Sequence, residues 1–135
     1  MDINLKGQRY KLHFGIGFIK ELDEIFKSEV MDIEFGTGVN TIYVKLQTPN
    51  PYPLYQALHA ALNTQIDLKE EEFDEWVDSL PTMKAFTDFF DKFVKELENQ
   101  RQTKPLISNY KKTLAEMAKK VQEEAKGHLS KPTEK

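Results

Sequence analysis

The change of period within the first 25 residues narrows the folds open to this chain more than any other feature. Ile3 and Leu5, then Tyr10, Leu12 and Phe14, fall on every second position, so each set lines one face of a strand, and Lys6-Gly7-Gln8 supplies a turn between them. After Gly15 and Gly17 the apolar positions become Phe18, Ile19, Leu22, Ile25 and Phe26, a helical stripe whose other side carries Lys20, Glu21, Asp23 and Glu24. The expected start is a β-hairpin followed by a helix. No later segment sustains period-two alternation, so the expected fold class is α+β, mainly helical: an N-terminal hairpin over residues 2–14 packed on a bundle of four to five helices.

Lys27 to Glu34 reads as a polar connector, and Phe35-Gly36-Thr37-Gly38 as a turn into a short helix carrying Val39, Ile42, Tyr43 and Leu46, although Thr41 to Val44 favour strand. Three prolines in Thr48-Pro49-Asn50-Pro51-Tyr52-Pro53 must interrupt it. Asn50 is placed to cap the next helix, Pro51 and Pro53 fit its first turn, and Leu54, Ala57, Leu58, Ala61 and Leu62 form a compact face that another helix can approach closely. Asp67-Leu68-Lys69-Glu70 has capping-box spacing ahead of Leu68, Phe73, Trp76, Val77 and Leu80. Ser79 or Pro81 restarts the chain into Met83, Phe86, Phe89, Phe90, Phe93, Val94 and Leu97, and Thr103-Lys104-Pro105 breaks that stripe. Ile107, Tyr110, Leu114, Met117 and Val121 then alternate gaps of three and four, the seam of a short coiled coil, which Gly127 is expected to end. The organisation predicted is a body over 1–100, a basic C-terminal helix over 101–126 and a disordered tail over 127–135.

Two of these stripes are open to more than one reading. The phenylalanines are first of all core, but Phe89 and Phe90 are adjacent and cannot both face one narrow seam, so an apolar groove for a partner helix is the functional alternative. The Ile107-to-Val121 seam packs back on the body, self-associates or receives a client, and Pro105 sets it apart. Ile107, Tyr110, Leu114, Met117 and Val121, with Phe89 and Phe90, are therefore the candidate partner-binding residues.

Charge separates the same two regions. Residues 1–100 hold 10 Lys/Arg against 18 Asp/Glu, a balance of −8, and residues 101–135 hold 9 against 4, a balance of +5; together they make the net −3. An acidic body argues against duplex nucleic acid as a partner, because phosphate binding needs a concentrated basic surface. An acidic body joined to a basic tail does suit head-to-tail homo-oligomers.

Catalytic readings are weaker than their structural alternatives. His13, His59 and His128 fall in three different elements without metal-ligand spacing, and the carboxylates from Glu70 to Asp78 spread around the solvated side of a helix. Gly15-x-Gly17 and Gly36-x-Gly38 lack the rest of any nucleotide-binding pattern, and no serine has a nucleophile context. No catalytic residue, cofactor or metal is expected, and the chain is not expected to be an enzyme. With no cysteine there is neither a disulfide framework nor a thiolate site. No apolar run approaches the roughly 20 residues that span a bilayer, and no leader pattern opens the chain, so a cytoplasmic protein without a membrane partner is expected.

The ordered series Gly7-x-x-Tyr10-x-Leu12-x-Phe14-Gly15-x-x-Phe18-Ile19-x-Glu21-Leu22-Asp23 is followed by Phe35-Gly36-x-Gly38-Val39 and Asn50-Pro51-x-x-Leu54-x-x-Ala57-Leu58-x-Ala60-Ala61. In this order and spacing, roughly the first hundred residues resemble the tail assembly chaperones of long-tailed phages, especially those of phages and prophages of Gram-positive bacteria. The resemblance implies a protein of the host bacterial cytoplasm that binds the tape measure protein, keeps that long helical chain soluble while tail tube protein polymerises on it, and is absent from the mature virion. It also implies that tube protein is engaged mainly through a longer, frameshifted form. The alternative is a non-catalytic helical adaptor or structural subunit of the phage tail.

Overall fold

A computed structural model of the protein describes residues 1–27 and 38–130, with side chains through Ala125. The connector from Ser28 to Glu34, the turn residues Phe35 to Thr37, and residues 131–135 of the expected disordered tail lie outside the described residues.

Strands β1 (Asp2–Leu5) and β2 (Gln8–Lys11) pair antiparallel with Ile3 opposite Tyr10 and Leu5 opposite Gln8. That register leaves a two-residue turn, Lys6-Gly7, and assigns Gln8 to the strand. Both turn residues have positive φ, 51° and 79°. This is the turn geometry whose twist matches a hairpin, and glycine is the residue that adopts it without penalty. The ladder is shorter than the alternation, but the Leu12 N–H still donates to the Met1 carbonyl at 2.9 Å. Ile3, Leu5, Leu12 and Phe14 all face inward and are buried.

Six helices follow among the described residues, one more than the expected bundle: α1 (Ile16–Ile25), α2 (Gly38–Lys45), α3 (Pro51–Leu62), α4 (Glu70–Ser79), α5 (Met83–Asn99) and α6 (Lys104–Ser130). Helix α1 packs on both α2 and α3. A Cβ on Gly38 would lie 2.2 Å from the Leu22 carbonyl carbon, so α2 starts in direct contact with the backbone of α1. The Asp23 carboxylate accepts the Gly38 N–H at 2.7 Å and caps that start. Although α2 is rich in strand formers, it stays helical because Val39, Ile42 and Tyr43 are buried, and packing outweighs propensities of a few tenths of a kcal/mol.

Helix α3 begins as its sequence suggests, with Asn50 Oδ1 accepting the Tyr52 N–H at 3.2 Å and proline in the first turn. Ala57, Ala60 and Ala61 are buried, and the His13 N–H donates to the Ala61 carbonyl at 3.0 Å, tying the hairpin to this helix. The next two helix starts differ from expectation. Lys69, not Asp67, precedes α4, and the Glu72 carboxylate reaches back to accept the Lys69 N–H at 2.9 Å. Thr82, rather than Ser79 or Pro81, caps α5, its Oγ1 accepting the Ala85 N–H at 3.0 Å. In both cases the residue that reaches the orphan donors is set by where the loop leaves the core.

Between α5 and α6 the chain turns within four residues. Thr103 is buried there, and its hydroxyl donates to the Leu97 carbonyl at 2.6 Å, satisfying one of the last acceptors of α5. Pro105 sits in the first turn of α6, where a missing N–H costs nothing. The helix also continues past Gly127, where it was expected to end, to Ser130. One glycine in a helix costs about 1 kcal/mol relative to alanine, too little to stop it without a following terminating motif.

The core joins the hairpin to α1–α5 and the root of α6. Phe14 meets Phe18 at 5.2 Å and Phe93 at 5.4 Å between ring centroids. Phe18, Leu22, Ile42, Leu54, Leu58, Phe93 and Leu97 are fully buried around that contact.

Candidate partner-binding surface

Among the described residues, helix α6 is held to the body only at its beginning. Ile107 is buried at 2% exposure and Tyr110 is half-buried. The Lys111 ammonium donates to Glu98 Oε2 at 3.1 Å and lies 5.4 Å from the centre of the Tyr43 ring, while the Tyr43 hydroxyl donates to the same carboxylate oxygen at 2.5 Å. This triad ties α2, α5 and α6 together. The Tyr43 and Lys111 hydrogen bonds hold the Glu98 carboxyl below its ordinary pKa, and the Tyr43 and Glu98 contacts raise that of the Lys111 ammonium. Burial is the main cause of the upward shift of the Tyr43 hydroxyl.

Beyond this root the helix leaves the body. Every residue from Leu114 to Ala125 is exposed, including Leu114 at 43%, Met117 at 50% and Val121 at 63%. The five-residue seam therefore divides into an anchor, Ile107 and Tyr110, and an uncovered apolar strip, Leu114, Met117 and Val121. At about 1.5 Å per residue the whole helix spans about 40 Å, enough to present that strip well away from the core.

The phenylalanine stripe divides along its other axis. Phe90 and Phe93 are buried, whereas Phe86 and Phe89 are half-buried and lean on Trp76, whose ring centre lies 4.7 Å from that of Phe89. Phe90 thus belongs to the core, and Phe89 forms a shelf between α4 and α5. Met83, at the start of α5, belongs to the same sequence stripe but is 86% exposed and stands clear of the core.

Two arrangements carry no signal in apolar periodicity. The first is a tie around His59, whose Nδ1 lies 2.7 Å from Glu21 Oε2 and whose Nε2 lies 2.7 Å from Asp67 Oδ1. Asn63 Nδ2 donates to Glu21 Oε1 and to the Gly17 carbonyl, both at 3.0 Å, and Lys69 pairs with Asp67 at 2.6 Å. Burial of His59 opposes its charge and is the largest single influence, but the hydrogen bonds and charges of Asp67 and Glu21 together outweigh it and raise its pKa. Asp67 is shifted down, first by Lys69 and then by His59. The second arrangement is an open cavity of about 270 Å³ between α3 and α4, lined by Pro51, Tyr52, Tyr55, Glu70, Phe73 and Asp74. Its residues are far apart in sequence, so only folding brings them together.

Among the described residues, no group of three or more His, Asp or Glu is placed to hold a metal ion, and no helix is long and apolar enough to cross a membrane. A family model described as phage tail assembly chaperone protein, TAC, matches residues 2–112. No curated protein and no solved structure matches the chain.

Proposed function

Because this chain belongs to the phage tail assembly chaperone family, whose partners are proteins of tail assembly, we propose that it binds the tape measure protein through the uncovered strip of α6. The supporting observation is that Leu114, Met117 and Val121 stand 43 to 63% exposed on a helix whose root is locked into the core. A long helical client presents repeating apolar faces, and a helix with a three–four apolar strip is the complementary shape. Individual contacts of three side chains are weak. Many copies along one client make them effective, which fits copies associating with acidic body against basic tail. The protein keeps its client soluble in the host cytoplasm and helps recruit tail tube protein, mainly through a longer frameshifted form, without remaining in the finished virion.

Coexpression with tape measure fragments tests this reading. A Leu114→Asp/Met117→Asp/Val121→Asp variant should remain folded, because exposed positions tolerate charge, while the client precipitates. Removal of residues 113–135 is the suitable truncation. A deletion starting at 104 also removes Ile107 from the core and Lys111 from Glu98, so it confounds binding with unfolding. Full client protection by either variant places the binding surface on the body instead.

A further inference from the structure

The cavity between α3 and α4 has the chemistry of a cation receptor. The Tyr52 and Tyr55 rings stack 6.4 Å apart at 22°, and the Phe73 ring meets Tyr55 edge-on at 5.6 Å. Tyr55 is fixed by its hydroxyl, which donates to the Leu68 carbonyl at 2.9 Å. Tyr52 keeps 62% of its surface in water, a large ring face without a cover. Glu70 and Asp74 stand four residues apart on α4, where like charges repel and a cation between them brings relief. Among the described residues neither carboxylate has an ion-pair partner. Aromatic faces and carboxylates converging on about 270 Å³ suit one ammonium-bearing side chain. The upward shift of the Tyr55 hydroxyl, caused first by burial and next by the Glu70 charge, agrees with a negative field there.

The chain carries the matching group on α6. Lys112 and Lys119 are seven residues apart and so share one face of that helix, on the side away from Leu114, Met117 and Val121. Both lysines are exposed. Since α6 packs on α2 and α5, and its residues 114–125 are all exposed, the helix does not cover the cavity of its own body. The charge balances of −8 for residues 1–100 and +5 for residues 101–135 favour the same pairing between copies. We propose that the Tyr52/Tyr55/Glu70/Asp74 cavity takes the Lys119 side chain of a second copy, joining copies head to tail. This rests on the self-association reading above and gives it a contact. It leaves the apolar strip on the opposite face of α6 open to the client, so one helix serves two partners at once.

Sedimentation of the full chain at low salt, read as an association constant, is the test. Wild type should associate, and the association should weaken with salt. Glu70→Gln/Asp74→Asn and, separately, Lys119→Gln should each weaken it at least tenfold with melting unchanged, whereas Lys119→Arg should retain it because the cation is kept. Tyr52→Ala removes an exposed ring without touching the core and should weaken it as well, which keeps the test decisive if the carboxylate variant folds poorly. Wild-type association unmoved by Lys119→Gln and Tyr52→Ala overturns the cavity contact and leaves self-association standing. A wild type that stays monomeric overturns both.

Discussion

The α5 stripe and the outer half of α6 use similar apolar side chains at the same helical spacing, but they meet different surroundings. Phe90, Phe93 and Leu97 are 3%, 0% and 0% exposed, while Leu114, Met117 and Val121 are 43%, 50% and 63% exposed. Periodicity establishes that a helix has an apolar side, and burial then depends on whether another element is opposite. Phe14, Trp76 of α4 and Tyr43 of α2 lie against α5; from Leu114 to Ala125 every residue of α6 is exposed. Side chains buried in α5 hold the fold together, and equivalent ones on the outer half of α6 stay on the surface.

The largest effect expected from this contrast is at Phe93. Phe93→Ala removes a fully buried ring that contacts Phe14, and should cost about 3–5 kcal/mol in chemical denaturation. A loss near zero would place α5 outside the core and erase the distinction. Gly38→Ala should follow, at about 1–3 kcal/mol, because its Cβ overlaps the Leu22 backbone and must push α2 from α1. If this variant melts like wild type, the α1–α2 contact is looser than described.

A smaller effect sharpens the body's side of the comparison. The His59 pKa in the fold lies above its ordinary value near 6.5, so the His59 bridge stabilises fully below that pH, and its contribution fades as pH rises through the folded value. Asp67, shifted down, contributes above its ordinary value near 3.8 and loses that contribution as pH falls toward its folded value. Melting should therefore decline from pH 6 to pH 8.5 in wild type, and His59→Gln should flatten this part of the profile. Parallel profiles would remove His59 from the tie. The smallest effect belongs to α6, where Leu114→Ala should change stability by no more than about 0.5 kcal/mol. A loss of 2 kcal/mol or more would mean that the strip packs against its own body.

Much of the architecture was legible because it rests on local rules. Alternation announced the hairpin, Asn50-Pro51 announced the start of α3, and three–four spacing announced the faces of α4, α5 and α6. The helix starts at Lys69 and Thr82 were not, since several neighbouring residues have the right chemistry and the loop path selects among them. The extent of α6 beyond Gly127 was missed because a glycine weakens a helix without terminating it. The candidate surface was legible as a seam, but its division between anchor and strip was not, as Ile107 and Leu114 follow the same spacing.

Sequence alone determined the opening hairpin, the apolar stripes that α4, α5 and α6 carry, and the opposite charges of body and tail, because these depend on neighbours along the chain. The tertiary structure decided that Ile107 is core while Val121 is surface, that Gly38 must lack a side chain, and that Tyr52, Tyr55, Glu70 and Asp74 share one cavity with His59 bridging carboxylates nearby. Burial and electrostatic surroundings depend on what folding brings across from a residue, and no local spacing encodes the distance from Glu21 to Asp67.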